Sequence, residues 1–298
     1  MCGITGLLNT GGRRADPEVV RRMAAAMHHR GPDDEGFFVD GSLALGFKRL
    51  SIVDRAGGHQ PMTGDGGRYT IVFNGEIYNH KELRASLEQE AEVRFRTQCD
   101  TEVLLAAYRH WGAEALPRLN GMFAFAVWDA AERVLFLARD RLGKKPLYFA
   151  EGAHGFTFAS EVKGLLAHPE ISSAVDPTRI ATFLTYRYVP GDETLFRGVS
   201  CLPPGTWMTV SERGSVRPQP YWNAEPAPGP GPSARPASHA ELRQRFGELL
   251  TDAVRLRRIA DVPVGAFLSG GLDSSVIVAL MSSMHLSLIH ISEPTRPY

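Results

Sequence analysis

Met1-Cys2-Gly3-Ile4-Thr5-Gly6-Leu7-Leu8 opens the chain, and its second residue decides how the rest is read. The small side chain at position 2 favours removal of Met1, which leaves Cys2 with a thiol and a free α-amine in one residue. A thiol of pKa about 8.5 beside an α-amine of pKa about 8 can pass its proton to that amine near neutral pH. Gly3 to Leu8 behind it reads as a short buried strand, so the nucleophile stands at the mouth of a fixed element.

Further along, polar groups gather at strand ends and helix starts, where sites usually lie. His29-Arg30-Gly31-Pro32-Asp33 is a compact turn after a helix. Lys48-Arg49-Leu50-Ser51-Ile52-Val53 follows a strand, and Phe73-Asn74-Gly75-Glu76-Ile77-Tyr78-Asn79 ends another at an Asn-Gly turn. Cys99-Asp100-Thr101-Glu102 opens a helix. Read singly, each has a bland meaning: Asn74-Gly75 a hairpin turn, Arg49 a surface ion-pair residue, Asp100 a helix cap. Together with Cys2 they form a nucleophile, an amide, a cation and a carboxylate, a set that points to a catalytic site.

The elements follow from periodicity and punctuation. Asp16-Pro17 supplies an N-cap and first-turn proline for a helix whose apolar face is Val19, Val20, Met23, Ala24 and Met27, stopped by Gly31-Pro32. Leu43 to Phe47 and Tyr69 to Phe73 read as strands. A helix from His80 to Leu87 follows Asn79, and another runs from Thr101 to Trp111, ended by Gly112. Met122 to Trp128 and Val134 to Ala138 form a hairpin. Phe156 to Ala159 is a strand after which Ser160 caps a helix through Leu166. Paired strands with helices between them predict a layered α+β domain over residues 1–222. Residues 223–237, containing AEPAPGPGPSARP, read as a Pro/Gly-rich linker. From Ser238 an amphipathic helix begins. Val262 to Leu268 reads as a buried strand running into Ser269-Gly270-Gly271-Leu272-Asp273-Ser274, with a helix from Ser275 to Leu280 after it.

Bulk properties narrow the class. A length of 298 residues suits about two domains. Lys plus Arg equals Asp plus Glu at 33 each, so no basic surplus points to nucleic acid or a membrane surface. Cys2, Cys99 and Cys201 have neither disulfide nor zinc spacing, and His28, His29, His59 and His80 lack metal-ligand spacing; no metal site is expected. No long apolar run or signal peptide is read, and a cytoplasmic location suits a free thiol.

On these residues the chain resembles the class II glutamine amidotransferases, and more narrowly the glutamine-hydrolysing asparagine synthetases. The resemblance extends through Gly121-Met122-Phe123-Ala124-Phe125, Ala138-Arg139-Asp140-Arg141-Leu142-Gly143, Lys145-Pro146-Leu147-Tyr148 and Leu202-Pro203-Pro204-Gly205. It implies an N-terminal-nucleophile hydrolase fold, a four-layer αββα sandwich. It also implies roles that make physical sense. Cys2 attacks the side-chain amide of glutamine, with its α-amine as general base and then acid. The Asn74 amide and Gly75 N–H stabilise the oxyanion. Arg49 clamps the α-carboxylate, Asp100 with Glu76 holds the α-ammonium, and the backbone of Leu50, Ser51, Ile52 and Val53 lines the pocket. Arg30 and Asp33 organise the turn beside it.

Strand, glycine-rich loop and helix at Leu268-Ser269-Gly270-Gly271-Leu272-Asp273-Ser274 form a second constellation, an arrangement that offers backbone N–H groups and a helix N-terminus to phosphates. No lysine follows the glycines, so it is not a Walker loop. It resembles the pyrophosphate loop of the ATP pyrophosphatases, an α/β adenine-nucleotide-hydrolase-like domain of which residues 238–284 are the truncated start. Residues 285–298 resemble nothing expected there and read as a non-native tail. The implied reaction is ATP-dependent asparagine synthesis: glutamine hydrolysis supplies ammonia to an adenylated aspartate. Glutamine, aspartate and ATP with Mg²⁺ are the expected small molecules, with no prosthetic group; no nucleic-acid or membrane partner is expected, and a homodimer stays open. Two alternatives remain: amidation of another carboxylate, as in antibiotic or exopolysaccharide pathways, and a non-catalytic glutamine-binding fragment. The chain as it stands is expected to act as a glutaminase only.

Overall fold

Apolar residues at both odd and even positions of several strands dictate the architecture. A strand sends successive side chains to opposite faces, so a strand apolar on both must lie between two covered layers. A computed structural model describes residues 1–54, 56–153, 155–225 and 238–284. The chain divides into two compact units, Met1–Asn223 and Ala224–Tyr298.

The first unit contains thirteen strands among its described residues: β1 Gly3–Leu8, β2 Asp34–Asp40, β3 Leu43–Arg49, β4 Met62–Gly64, β5 Tyr69–Ile77, β6 Gly121–Asp129, β7 Val134–Arg139, β8 Tyr148–Gly152, β9 Gly155–Ala159, β10 Val199–Cys201, β11 Thr206–Ser211, β12 Gly214–Ser215 and β13 Gln219–Pro220. Its helices are α1 Pro17–Ala25, α2 His80–Glu90, α3 Asp100–Trp111, α4 Val162–Leu166 and α5 Pro177–Tyr186. One antiparallel sheet runs β10-β8-β9-β1-β3-β2 and the other β12-β11-β7-β6-β5-β4, with β13 on β11.

Alternation then assigns each face. Ile4, Leu8, Leu43, Leu45 and Phe47 from the first sheet meet Val72, Ala124, Ala126, Trp128, Leu135 and Leu137 from the second in a seam between the sheets. The intervening Phe73, Phe123, Phe125, Val127 and Phe136 pack under α2 and α3. Leu7 and Ala44 pack with Val19, Val20, Met23 and Met27 of and beyond α1 and Leu165 of α4. The result is the four-layer αββα sandwich, with the two inner sheets buried on both faces.

Several local expectations hold, and others give way to tertiary contacts. Asp16 caps α1, its carboxylate accepting from Glu18 N at 2.9 Å. The helix stops at Ala25, however, and a short 3₁₀ turn over His28–Arg30 precedes Gly31-Pro32, so that pair does not end the helix itself. Ser160 does not cap α4: its hydroxyl accepts from Ile4 N at 3.0 Å, and Glu161 takes the cap position. Asn74-Gly75 is no turn. Both residues lie inside β5, paired with Ala124 and Phe123 of β6. Glycine is needed there for close approach, since a Cβ on Gly75 would stand 2.2 Å from Met122 O.

In the second unit α6 (His239–Leu256) begins at a reciprocal cap: Ser238 Oγ accepts from Glu241 N at 3.3 Å and Glu241 Oε2 accepts from Ser238 N at 2.7 Å. Helix α7 spans Leu272–Ser283, longer than the expected Ser275 to Leu280. Val262 to Leu268 is not a buried strand. Among the described residues it forms no strand, only a single bridge position at Leu268, and Phe267 is 76% exposed. Apolar sequence alone does not make a strand where no neighbouring ladder supplies hydrogen bonds. Most of the expected linker (226–237) and the expected tail (285–298) lie outside the described residues.

Candidate active site

Four elements end around one cavity of about 120 Å³. Cys2 enters it from just ahead of β1, Arg49 and Leu50 from the end of β3, Asn74, Gly75 and Glu76 from the second half of β5, and Asp100 from the first turn of α3. Of the residues expected from the sequence, Cys2, Arg49, Leu50, Ile52, Val53, Asn74, Gly75, Glu76 and Asp100 line it. Ser51 does not. Its backbone N–H is tied 2.8 Å from Asp33 Oδ2, on the far side of the loop.

Hydrogen bonds hold the nucleophile in place. Leu50 N–H donates to Cys2 Sγ at 3.4 Å, and Arg30 Nε donates to Cys2 O at 2.8 Å. Arg30 is itself steadied by Glu161 Oε1 at 2.8 Å from Nη1. Burial pushes the Cys2 thiol up, while the Leu50 N–H, the chain's amino terminus, Arg49 and Lys145 pull it down. The amino terminus of this chain is that of Met1, and partial burial, opposed by Cys2 and helped by Arg30 and Lys145, holds its amine below the usual value.

Arg49 reaches over the cavity floor, its Nη2 donating to Asp54 O at 2.7 Å and Val53 O at 3.2 Å. Asp54 in turn accepts from Gly57 N and Gln98 N, both at 2.8 Å, which fixes the loop under the guanidinium. Asp100 is 8% exposed, and Ile77 N–H donates to its Oδ2 at 2.9 Å. Burial raises its carboxyl to about 6, against the pull of the Ile77, Asp100 and Thr101 N–H groups and of Arg49.

Asn74 is different from every other member. It is 1% exposed, yet its Nδ2 and Oδ1 have no hydrogen-bond partner among the described residues. A buried amide left unpaired costs about 1–3 kcal/mol, and such strain is kept where a ligand completes the bonds.

The sequence reading overlooked several lining residues. Gln60 accepts from Phe73 N at 2.6 Å and donates to Thr101 Oγ1 at 3.2 Å, bracing β5 against α3. Lys145 lines the cavity at 5% exposure although it was read only as part of a motif. A lysine inside an otherwise polar turn gives no local signal of burial; the signal lies in Asp140, the residue directly after a hydrophobic strand. Asp140 is 2% exposed and accepts from Leu142 N, Lys144 N, Lys145 N and Phe123 N at 3.0 to 3.1 Å. Replacing it with alanine orphans these donors, and urea unfolding of Asp140→Ala is expected to show a loss of about 3 kcal/mol.

The proposed nucleotide loop belongs to the second unit. Leu268, Ser269, Gly270, Gly271, Leu272, Asp273 and Ser274 lead into α7, with Gly271 at its N-cap. Ser269 and Ser274 hydroxyls meet at 3.0 Å, and Gly270 sits at φ +78 with open space around it. Among the described residues no cluster of His, Cys, Asp and Glu could hold a metal ion, and no helix is long and apolar enough to cross a membrane.

Comparison with known proteins agrees with this arrangement. The sequence profile of the glutamine amidotransferase domain matches residues 1–222, and that of asparagine synthase matches residues 245–292. Two relatives from Bacillus subtilis (strain 168), asparagine synthetase (glutamine-hydrolyzing) 1 and 3, are each 39% identical, over 97% and 94% of this chain and 45% of each relative. The chain therefore spans about half the length of the curated relatives it matches. A solved glutamine phosphoribosylpyrophosphate amidotransferase from B. subtilis, complexed with ADP and GMP, aligns with TM-score 0.54 over 95% of this chain and 64% of that one. Its identity is 17%, so that likeness speaks for the fold alone. With a profile match that runs through both sheets and takes in the cavity they enclose, the chain belongs to the glutamine amidotransferase domain family.

Proposed function

We propose that the first unit hydrolyses glutamine to glutamate and ammonia. The observation that carries the reading is Asn74: a buried amide with unspent donors, on the strand that faces the Cys2 sulfur across the cavity. With Met1 removed, the thiol proton passes to the freed α-amine of Cys2. The sulfur then forms a bond to the substrate's amide carbon. Negative charge builds on the amide oxygen, where Asn74 Nδ2 and the Gly75 N–H receive it. The α-ammonium returns the proton to the departing nitrogen, ammonia leaves, and water cleaves the thioester. Arg49 holds the substrate carboxylate, and Asp100 with Glu76 holds its ammonium.

The fate of the ammonia follows from the second unit. The open backbone at Gly270-Gly271 ahead of α7 suits a phosphate chain, and the asparagine synthase profile begins at residue 245. We read the whole protein as an ATP-dependent, glutamine-hydrolysing asparagine synthetase of the cytoplasm, where a thiol stays reduced. Aspartate is its acceptor, and magnesium accompanies the nucleotide.

Glutamine hydrolysis by Met1-processed protein, verified by intact mass, is the test. Glutamate and ammonia should appear in equal amounts. Their absence from correctly processed, folded protein overturns the reading. The pH dependence is set by Asp100. Its carboxylate must be ionised to hold an ammonium and becomes neutral below about 6. The KM for glutamine is therefore expected to climb below that pH, by up to about tenfold per unit. Stability runs the other way. The native state keeps the Asp100 proton more tightly than the unfolded chain does, so this group's contribution falls as pH rises from 3.8 to about 6.

A further inference from the structure

We infer that Lys145 is a positioning residue for the nucleophile: its ammonium, held at the wall of the glutamine cavity, keeps the Cys2 sulfur in the thiolate form while substrate is bound. The inference rests on the glutaminase reading above and adds to it the cation that the reaction needs.

Three observations converge. The first is place. Lys145 is 5% exposed, lines the same cavity as Cys2 and Glu76, and its ammonium donates no hydrogen bond among the described residues. Burial works against its charge, and the groups that most favour the ammonium are Glu76 and Cys2, so the charge is kept where it faces the sulfur.

The second is the scaffold that holds it. Asp140 takes the N–H groups of Leu142, Lys144 and Lys145, and Arg139 clamps the other side of the turn. Arg139 Nε donates to Lys145 O at 2.8 Å, Nη2 to Gly143 O at 2.7 Å and Nη1 to Leu202 O at 2.7 Å. The backbone that carries Lys145 is thus fixed on both flanks, while its neighbour Lys144 points to solvent. Such bracing fixes the direction of one side chain.

The third is the balance of charge. Burial opposes a thiolate at Cys2. The charges that act on the sulfur are the amino terminus, Arg49 from β3 and Lys145, and the carboxylates Glu76 and Asp100 line the same cavity. Arg30 donates Nε to the Cys2 carbonyl and Nη1 to Glu161, whose carboxylate balances its charge, and its Nη2 has no partner among the described residues. Arg49 is neutralised once the substrate carboxylate docks on it. Asp100 and Glu76 meet the substrate ammonium. Beside the α-ammonium that the proton transfer itself creates, Lys145 is the side-chain cation of the cavity left to face the sulfur during attack. The proton transfer stays balanced: the thiol loses one proton to the α-amine, and no further reactant is needed.

Alkylation of Cys2 by iodoacetamide across pH 5 to about 10, read on the N-terminal peptide by mass, tests this in Met1-processed protein. In Lys145→Met the apparent thiol pKa should rise by about one unit, which lowers the alkylation rate at pH 7 about tenfold. Lys145→Arg should restore most of the shift, because it returns charge without the same shape. The acidic limb of kcat/KM for glutamine should move with the thiol. A Lys145→Met protein that alkylates with the wild-type profile while turnover falls overturns the inference, since the lysine would then serve only shape or substrate contact. If Lys145→Met does not fold, Lys145→Gln decides, because it keeps a polar side chain and removes the charge. Its thiol pKa should rise in the same way, and an unchanged value overturns the proposal. Wild-type protein that alkylates normally but releases no ammonia refutes the glutaminase reading instead, so the two failures are told apart.

Discussion

Cys2→Ala is expected to abolish glutamine hydrolysis, lowering kcat by at least about a thousandfold. The fold should survive, because Cys2 lies at the edge of the seam and, among the described residues, its hydrogen bonds run to Leu50 and Arg30. Glutamine should still bind, since Arg49 and Asp100 are untouched. Isothermal titration with glutamine alongside a coupled ammonia assay separates the two effects. Retained turnover in the alanine variant would remove Cys2 from the chemistry. The same experiment has a processing arm. Protein that keeps Met1 holds the Cys2 nitrogen as a peptide amide, which cannot serve as a base, and should be as inactive as the alanine variant. Intact mass gives the processed fraction, and activity should scale with it.

Asn74→Ala carries the second large effect, and its signature is a separation of rate from stability. The kcat should fall by about 10²–10³, the usual cost of losing one oxyanion donor, while KM changes by no more than a few-fold. Thermal unfolding should show no loss of stability and can show a gain. The wild-type amide is buried with both polar atoms unpaired, so deleting it removes a burden on the fold. A variant with reduced stability and unchanged kcat would mean that Asn74 is a structural residue.

The site was legible in the sequence where residue type and function coincide. Cys2, Arg49 and Asp100 are a nucleophile, a forked cation and a carboxylate next to element ends, and the structure brings all three to one cavity. A layered α+β domain was legible too, from paired strands with helices between them, whereas the four-layer sandwich came only with the family resemblance. The reading failed where a distant contact overrides a local signal. Asn74-Gly75 has the composition of a turn, but Gly75 is there because β6 passes within 2.2 Å of where its Cβ would be. Ser160 sits where a cap should, yet serves Ile4, 156 positions away in sequence. Lys145 and Lys144 are indistinguishable as letters; only the Asp140 clamp decides which one turns inward.

The sulfur and the amide it depends on are carried by different sheets, Cys2 ahead of β1 and Asn74 on β5. Nothing covalent and nearby fixes their separation; the alignment of the reacting pair is set by interlocking methyl groups and rings such as Ile4, Phe47, Val72 and Ala124. Sequence drift there, harmless to solubility and overall shape, can still detune the reaction through sub-ångström slippage. In this molecule the oil between the layers is the jig that sets the tool.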